Sequence, residues 1–144
     1  MRQKSIEKGA VNLLVNCAET RSNDRLLIIH EEPGLGYYDE DIVSAVAEAG
    51  CRIGAHVSVR QVPFNPQATE VPAEVRALMA GADRTVFLAR IGDQLRFSDM
   101  ASNGRALVSY ALDVGMLGSP YGTADYRAFD LLKSALNRMM SAAK

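Results

Sequence analysis

The feature that most constrains the fold is an uninterrupted apolar run, Leu26 to Ile29, that lies between two segments with helical periodicity. Four consecutive apolar residues are typical of a strand that is covered on both faces, as strands in parallel sheets are. The run ends before Pro33 and Gly34, two residues that interrupt a strand. It therefore predicts a central strand in an α/β protein.

The alternation of helix and strand continues along the whole chain. This alternation predicts one α/β domain over residues 1–144, with a small doubly wound, mainly parallel four-stranded sheet and helices on both faces. Because the crossover connections between parallel strands are right-handed, the predicted strand order is 2-1-3-4. We expect Gly50 to end the second helix and Thr123 to cap the last one. The predicted helices span about residues 2–19, 39–50, 72–81 and 123–140, and the predicted strands about 26–29, 51–59, 85–89 and 106–112.

Composition and charge exclude several kinds of partner. Sixteen Lys and Arg residues against 17 Asp and Glu give a net charge of −1, which is unlike the basic surface of a nucleic-acid-binding protein. There is neither a membrane-spanning apolar run nor a signal-peptide pattern, so we expect no membrane partner and a cytoplasmic location. Cys17 and Cys51 are interpreted as reduced, half-buried thiols that serve packing.

A ligand site is expected at the carboxyl ends of the strands, where open parallel sheets bind their ligands. Arg60 and Arg90 follow predicted strands, and such arginines either clamp a carboxylate or phosphate or form solvated ion pairs with neighbouring acids. The residues predicted to bind a small molecule or partner are Glu32, Gly34, Gly36, Tyr37, Arg90, Asp93, Arg96, Asp113, Ser119, Tyr121 and Thr123.

No motif in the chain completes a catalytic site. Gly34 and Gly36 begin a dinucleotide-binding pattern, but Asp39 replaces its third glycine, and acidic residues there would repel a pyrophosphate. His30, Glu31 and Glu32 have the side chains of metal ligands or acid–base groups, yet neighbouring strand residues point to opposite faces, so that only Glu32 would lie on the same face as His30. The sequence therefore predicts no catalytic residue, no bound metal and no cofactor.

Three segments resemble a known family. The strand Asp24 to His30, the helix end Ala47 to Gly50 with a strand directly after it, and the helix-to-strand segment Met79 to Leu88 are similar to the N-terminal domain of aminopeptidase T-type metallopeptidases. The resemblance covers roughly residues 6–90 and implies a Rossmann-like α/β fold. Residues 91–97 and 109–113 depart from the family pattern.

The resemblance implies a domain without a complete active site. The paired catalytic metals of that family are held by a separate C-terminal domain, which has no counterpart here, so no metal ligand is carried over to any residue of this chain. The chain is then either the N-terminal part of a longer aminopeptidase or a free-standing relative that serves ligand binding, partner binding or assembly.

The alternative is a flavodoxin-like small-molecule or nucleotide-binding module. Tyr37 and Tyr38 would supply aromatic contacts to a flavin after the first strand, although that loop has no Ser or Thr. A receiver-like module would need a lysine late in the sheet, whereas Lys133 and Lys144 fall in the last helix.

The last predicted helix has an apolar stripe that continues to its end. Phe129, Leu132, Leu136 and the pair Met139–Met140 recur every three or four residues. A four-stranded sheet offers little area, so we expect the methionine end to extend beyond it and to contact a second copy or a missing C-terminal domain. The alternative is that both methionines pack on the N-terminal helix.

Overall fold

The computed structural model describes residues 2–35, 37–97 and 105–142 of the chain. Helices and strands alternate as the sequence predicts. The helices are α1 (Arg2–Val11), which continues as a π-helix (Asn12–Cys17), α2 (Glu40–Ile53), α3 (Ala73–Ala80), a 3₁₀ helix (Arg90–Phe97), α4 (Val114–Leu117) and α5 (Tyr126–Ala142). The strands are β1 (Arg25–Glu31), β2 (His56–Val62), β3 (Arg84–Leu88) and β4 (Ala106–Val108).

The four strands form one parallel sheet in the order β2-β1-β3-β4, which confirms the predicted order. Strand β1 lies between β2 and β3, so that Ile28 aligns with Val59 on one side and Val86 on the other. The apolar run of β1 is fully enclosed, with Leu26, Ile28 and Ile29 at 0% exposure. The prediction of a strand covered on both faces is therefore confirmed.

Helices cover both faces of the sheet. On one face, α1, the π-helix, α2 and α4 pack against alternate residues of β1 and β3, and on the other face α3 and the start of the 3₁₀ helix do so. The alternation of strand side chains separates the two cores. Buried residues of the first core include Leu14, Leu26, Ile28, Ile42, Val46, Val86 and Leu117, and those of the second include Leu27, Ile29, Val71, Val75, Phe87 and Ile91.

The end of α2 differs from the prediction. Gly50 lies inside the helix, which ends at Gly54, a glycine in the left-handed region with φ of 90°. A Cβ atom at Gly50 would lie 2.8 Å from a methyl group of Val57 and 2.9 Å from one of Leu26, so this glycine lets the helix approach the sheet closely. Because α2 is longer than predicted, Cys51 lies in its last turn instead of at the start of a strand.

The C-terminal part of the sheet is shorter than predicted. Strand β4 has only three residues, and the short helix α4 follows it, where Asp113 accepts a 2.7 Å hydrogen bond from the Met116 N–H. Thr123 does not cap α5, since its hydroxyl donates to the carbonyl of Ser119 at 2.8 Å. Asp125 takes that role instead, because its carboxylate accepts the Arg127 N–H at 3.0 Å.

Helix α1 packs against the turn after α4. At Gly9, a Cβ atom would lie 1.9 Å from the carbonyl oxygen of Leu117, so only glycine permits this approach. The side-chain amide of Asn12 donates to the carbonyl of Gly122 at 2.8 Å, which ties the π-helix to the segment before α5. In the described ranges no helix is long and apolar enough to cross a membrane.

One exposed ion pair joins the first residue of β1 to the start of β3 and gives a pH prediction. The Arg25 guanidinium donates to both carboxylate oxygens of Asp83, at 2.9 and 3.0 Å, and the Arg25 backbone N–H donates at 2.9 Å. The Arg25 side-chain hydrogen bonds hold the pKa of Asp83 well below its usual range. A lowered pKa in the folded state means that the stability it contributes is present above the unfolded-chain pKa near 3.8 and is lost as the pH falls below it.

The Asp83→Asn variant is therefore expected to melt slightly below the wild type at about pH 6, with a gap in Tm that narrows toward about pH 2. The gap is small because 61% of the Arg25 side chain and 39% of the Asp83 side chain are exposed to solvent. Thermal melts followed by circular dichroism at several pH values measure it. A gap that stays constant over this pH range would contradict the prediction.

Candidate functional site

The centre of the predicted site is a buried carboxylate, Glu31, at the end of β1. Its side chain accepts the backbone N–H of Tyr37 at 2.7 Å and the backbone N–H of Arg90 at 2.9 Å. Tyr37 belongs to the loop after β1, and Arg90 follows β3, so the carboxylate joins the loops of two adjacent strands. With 3% exposure, Glu31 fills the position at the strand ends where α/β folds accept anionic ligands.

The side chain of Arg90 lies above this position and is paired within the chain. It forms an ion pair with Asp93, whose other carboxylate oxygen accepts a 2.9 Å hydrogen bond from the Tyr110 hydroxyl. The guanidinium carbon also lies 5.7 Å from the ring centroid of Tyr37. The sequence left two interpretations of Arg90 open, a clamp for a carboxylate or phosphate and an ion pair with a neighbouring acid. The structure shows the ion pair.

Tyr38 ties the loop after β1 to the end of β4. Its hydroxyl is buried and donates to the carbonyl of Ser109 at 2.5 Å. Burial, together with the negative charges of Asp93 and Glu31, raises the pKa of Tyr38 far above its ordinary value, and the nearby Arg90 only partly opposes this. The phenol therefore stays protonated at neutral pH and acts as a structural donor.

Two other predicted site residues lie at the surface of the same loop. Glu32 is exposed, and its backbone N–H donates to the Val62 carbonyl at 3.1 Å. Gly34 has a φ of 77° and open space around it, as expected at a loop tip. Gly36 and the side chain of Arg96 lie outside the described part of the structure.

Arg60 is not where the sequence places it. The predicted second strand ended at Val59, which would put Arg60 at the carboxyl edge. In the structure β2 runs to Val62, so Arg60 lies inside the strand, where it aligns with Ile29 of β1. The shift follows from the longer α2, which moves the start of β2 to His56.

Three of the four remaining predicted residues line a second region, a groove of about 1020 Å³ beside β4. The π-helix, β4 with the segment after it, α4 and the first turns of α5 form its walls. Asp113, Ser119 and Tyr121 line it, whereas the hydroxyl of Thr123 is engaged with the Ser119 carbonyl. Tyr110 belongs to both regions, because it also lines the groove while its hydroxyl donates to Asp93.

The lining of the groove is mainly apolar, and its charged residues are acidic. Leu13, Leu107 and Phe129 are among its apolar lining residues. The charged residues of its described lining are Glu19, Asp113 and Asp130.

Both cysteines are exposed, so the interpretation that they are half-buried packing thiols is wrong. Cys17 lines the groove, where desolvation by the surrounding walls raises the pKa of its thiol although the residue is exposed. A raised pKa keeps the thiol protonated and weakly nucleophilic at neutral pH. Cys51 lies in the last turn of α2, on the side that faces solvent.

Among the described residues, no three His, Cys, Asp or Glu side chains come together in a group that could hold a metal ion. His30 faces its own backbone, with Nδ1 at 3.1 Å from the carbonyl oxygen of Glu31. The Glu31 carboxylate is engaged with two N–H groups, so the two residues do not converge.

No protein-family model and no curated protein matches the chain. Among solved structures, the chain is similar to 2,5-dihydroxypyridine dioxygenase from Pseudomonas putida KT2440, with 17% sequence identity and a TM-score of 0.46. The alignment covers 72% of this chain and 33% of the dioxygenase chain. The chain thus spans about a third of the length of that protein.

Sequence reasoning left Glu31 out of the predicted binding residues, although a signal for it exists. In β1, Leu27, Ile29 and Glu31 share one face by alternation, and the first two are buried there. A carboxylate that continues a buried face at the end of a strand must find donors nearby. The backbone N–H groups of the two loops are those donors.

Proposed function

We propose that this chain is a non-catalytic α/β domain, similar to the N-terminal domain of aminopeptidase T-type metallopeptidases, and that it serves assembly by docking through α5 onto a second copy of itself. The observation that carries the proposal is the exposure of α5. This helix has 17 residues, and none of them is buried.

Most of the apolar stripe of α5 is exposed, although Phe129 has an edge-to-face contact with Tyr121, with ring centroids 5.7 Å apart. Leu132 is 58% exposed and Leu136 49%, and both methionines at 139 and 140 are 70% exposed. This exposure supports a methionine end that extends beyond the sheet and does not favour the alternative of packing on α1. Helices gain most of their stability from packing an amphipathic face, so this stripe favours a protein partner.

The spacing of the stripe suits a second copy. Phe129, Leu132, Leu136 and Met139 follow each other at intervals of three, four and three residues, which is the a/d pattern of a coiled coil. In an antiparallel pair with its two-fold axis near Ser134, Leu132 of one copy faces Leu136 of the other. Phe129 then faces Met139 at both ends, so the surface is self-complementary, as a two-fold interface requires.

The carboxyl-edge region supports a non-catalytic role. In a nucleotide- or flavin-binding module, backbone N–H groups of the strand-end loops receive the phosphate. Here Glu31 already occupies the N–H groups of Tyr37 and Arg90, and Glu40 and Asp41 lie in the first turn of α2. A phosphate would have to displace one carboxylate and approach two others, so these contacts do not favour the flavodoxin-like alternative. Titration with FMN tests it by flavin absorbance.

The α5 interface is tested with two complementary variants. We expect Leu132→Glu and Leu136→Lys each to be monomeric, because each places an unpaired charge in the interface between the two α5 helices. In an equimolar mixture of the two variants, Glu at position 132 of one chain faces Lys at position 136 of the other, and the remaining Leu136 faces the remaining Leu132. A heterodimer is therefore expected. Sedimentation velocity of the wild type, each variant and the mixture measures this.

Leu131→Glu is the matched control, since Leu131 is 73% exposed but lies beside the a/d positions. The control is expected to dimerise like the wild type. A wild-type chain that remains monomeric up to about 1 mM, which is the weak end of specific association, would overturn the proposal. A mixture in which both variants stay monomeric would overturn the antiparallel arrangement.

A further inference from the structure

We infer that the free edge of β4 is a docking site for an extended polypeptide segment with basic side chains, which would add to the sheet as a fifth strand. This inference goes beyond the proposed assembly function, because it concerns the backbone of β4 and the groove beside it, whose described lining shares Phe129 alone with the stripe of α5.

The hydrogen-bond pattern shows which backbone groups of β4 are available. The Thr85 N–H donates to the Arg105 carbonyl at 2.8 Å, and the Ser109 N–H donates to the Phe87 carbonyl at 3.0 Å. Since bonding alternates along a parallel strand, the intervening Ala106 and Val108 direct their N–H and C=O groups away from β3. Over the described ranges β4 pairs with β3 alone, so these groups form an open template for another strand.

The groove supplies space directly beside this edge. It measures about 1020 Å³, and Val108 and the residues after it form one of its walls. Its other walls include residues of the π-helix and of the first turns of α5. An added strand would lie about 4.8 Å from β4 and present every second side chain to the apolar lining, which includes Leu13 and Phe129.

The charge of the lining indicates which segment fits. Its charged side chains, Glu19, Asp113 and Asp130, are all acidic, and none of the described lining residues is Lys or Arg. The Glu19 carboxylate lies 3.9 Å from the Arg84 guanidinium, and the Asp113 carboxylate accepts the Met116 N–H. Asp130 forms no hydrogen bond or ion pair among the described residues. The groove is therefore complementary to an extended segment in which apolar and basic residues alternate.

The test uses an acetylated seven-residue peptide of alternating Val and Lys and the wild-type chain. We expect saturable amide shifts at Val108 and its neighbours in NMR titrations. The same peptide with N-methyl groups on alternate residues cannot complete the ladder and is expected to bind at least about tenfold more weakly. A peptide with Glu in place of Lys is also expected to bind more weakly.

Two variants locate the binding site on the protein. Val108→Pro removes one outward N–H without removing a bond to β3, a position where an edge strand tolerates proline, and is expected to weaken peptide binding about tenfold. Asp130→Asn leaves the backbone intact and is expected to weaken binding of the lysine peptide but not of the peptide with Glu. This variant locates the site even if Val108→Pro does not fold.

Three results would overturn the inference. These are equal binding of the N-methylated peptide, shifts that leave 106–111 unaffected, and absence of binding at about 1 mM peptide, the weak limit for specific recognition. The readout is independent of assembly, because sedimentation reports the α5 interface in a separate measurement. A chain that dimerises but does not bind the peptide refutes only the strand site.

Discussion

The Ile28→Asp variant is expected to lose cooperative folding. Ile28 is 0% exposed and lies at the middle of the central strand, between Val59 of β2 and Val86 of β3. An aspartate there would be surrounded by apolar side chains, and burial of an unpaired carboxylate costs several kcal/mol. That loss is comparable with the roughly 5–15 kcal/mol by which domains of this kind are stable. Circular dichroism during urea titration would show no sigmoidal transition.

Val59→Asp is the matched control for this variant. Val59 aligns with Ile28 in the sheet, but it lies on the edge strand β2 and is 36% exposed. Its carboxylate can reach water, so the control is expected to keep a sigmoidal transition at somewhat lower urea concentration. A cooperative transition of the Ile28→Asp variant would contradict the central, doubly covered position of β1.

The second large effect is expected for Glu31→Ala. The substitution leaves the N–H groups of Tyr37 and Arg90, which make partly buried hydrogen bonds, without their acceptor. Hydrogen bonds to a charged group contribute about 1.5–3 kcal/mol each, and these two are only partly buried, so we expect a loss of about 3 kcal/mol in the free energy of unfolding. Because the carboxylate joins the loops after β1 and β3, the amides of both residues should also exchange with solvent much faster.

Glu32→Ala provides the comparison, since Glu32 is the neighbouring residue and is exposed. Its effect on stability is expected to stay within about 0.5 kcal/mol. Glu31→Gln keeps one acceptor oxygen but presents an NH₂ group to the other donor, so an intermediate loss is expected. If Glu31→Ala and Glu32→Ala were equally stable, Glu31 would not be the structural centre of the site.

The hydropathy pattern of the sequence and the rules for strand connections were sufficient to predict the architecture of the sheet. The run Leu26 to Ile29 predicts the central strand, and right-handed crossovers then leave the order 2-1-3-4. The boundaries were less predictable, because a glycine serves two purposes. Gly50 resembles a helix end but is needed for contact with the sheet, whereas Gly54 has the positive φ that ends the helix.

The part of the candidate site that could be predicted consists of residues in the segments that follow the strand ends. Tyr37, Arg90 and Asp93 lie in the segments that follow β1 and β3, and the structure brings them together. The groove joins Asn12 of the π-helix to Gly122, 110 positions away, through packing that no local pattern encodes. Its residues therefore have no shared signal in the sequence, and the structure places Asp113 and Tyr121 in the groove instead of beside Glu31.

The parallel pairing of all strands has a consequence for synthesis of the protein in the cell. Arg25 aligns with His56, so β1 leaves the ribosome about thirty residues before its first partner begins. At about 5–20 residues per second, the apolar run of β1 is without a neighbouring strand for roughly two to six seconds. Its second partner, β3, begins only at Arg84, after a further delay of similar length. The nascent chain thus exposes its most aggregation-prone segment first, and this interval is when chaperone contact would benefit it most.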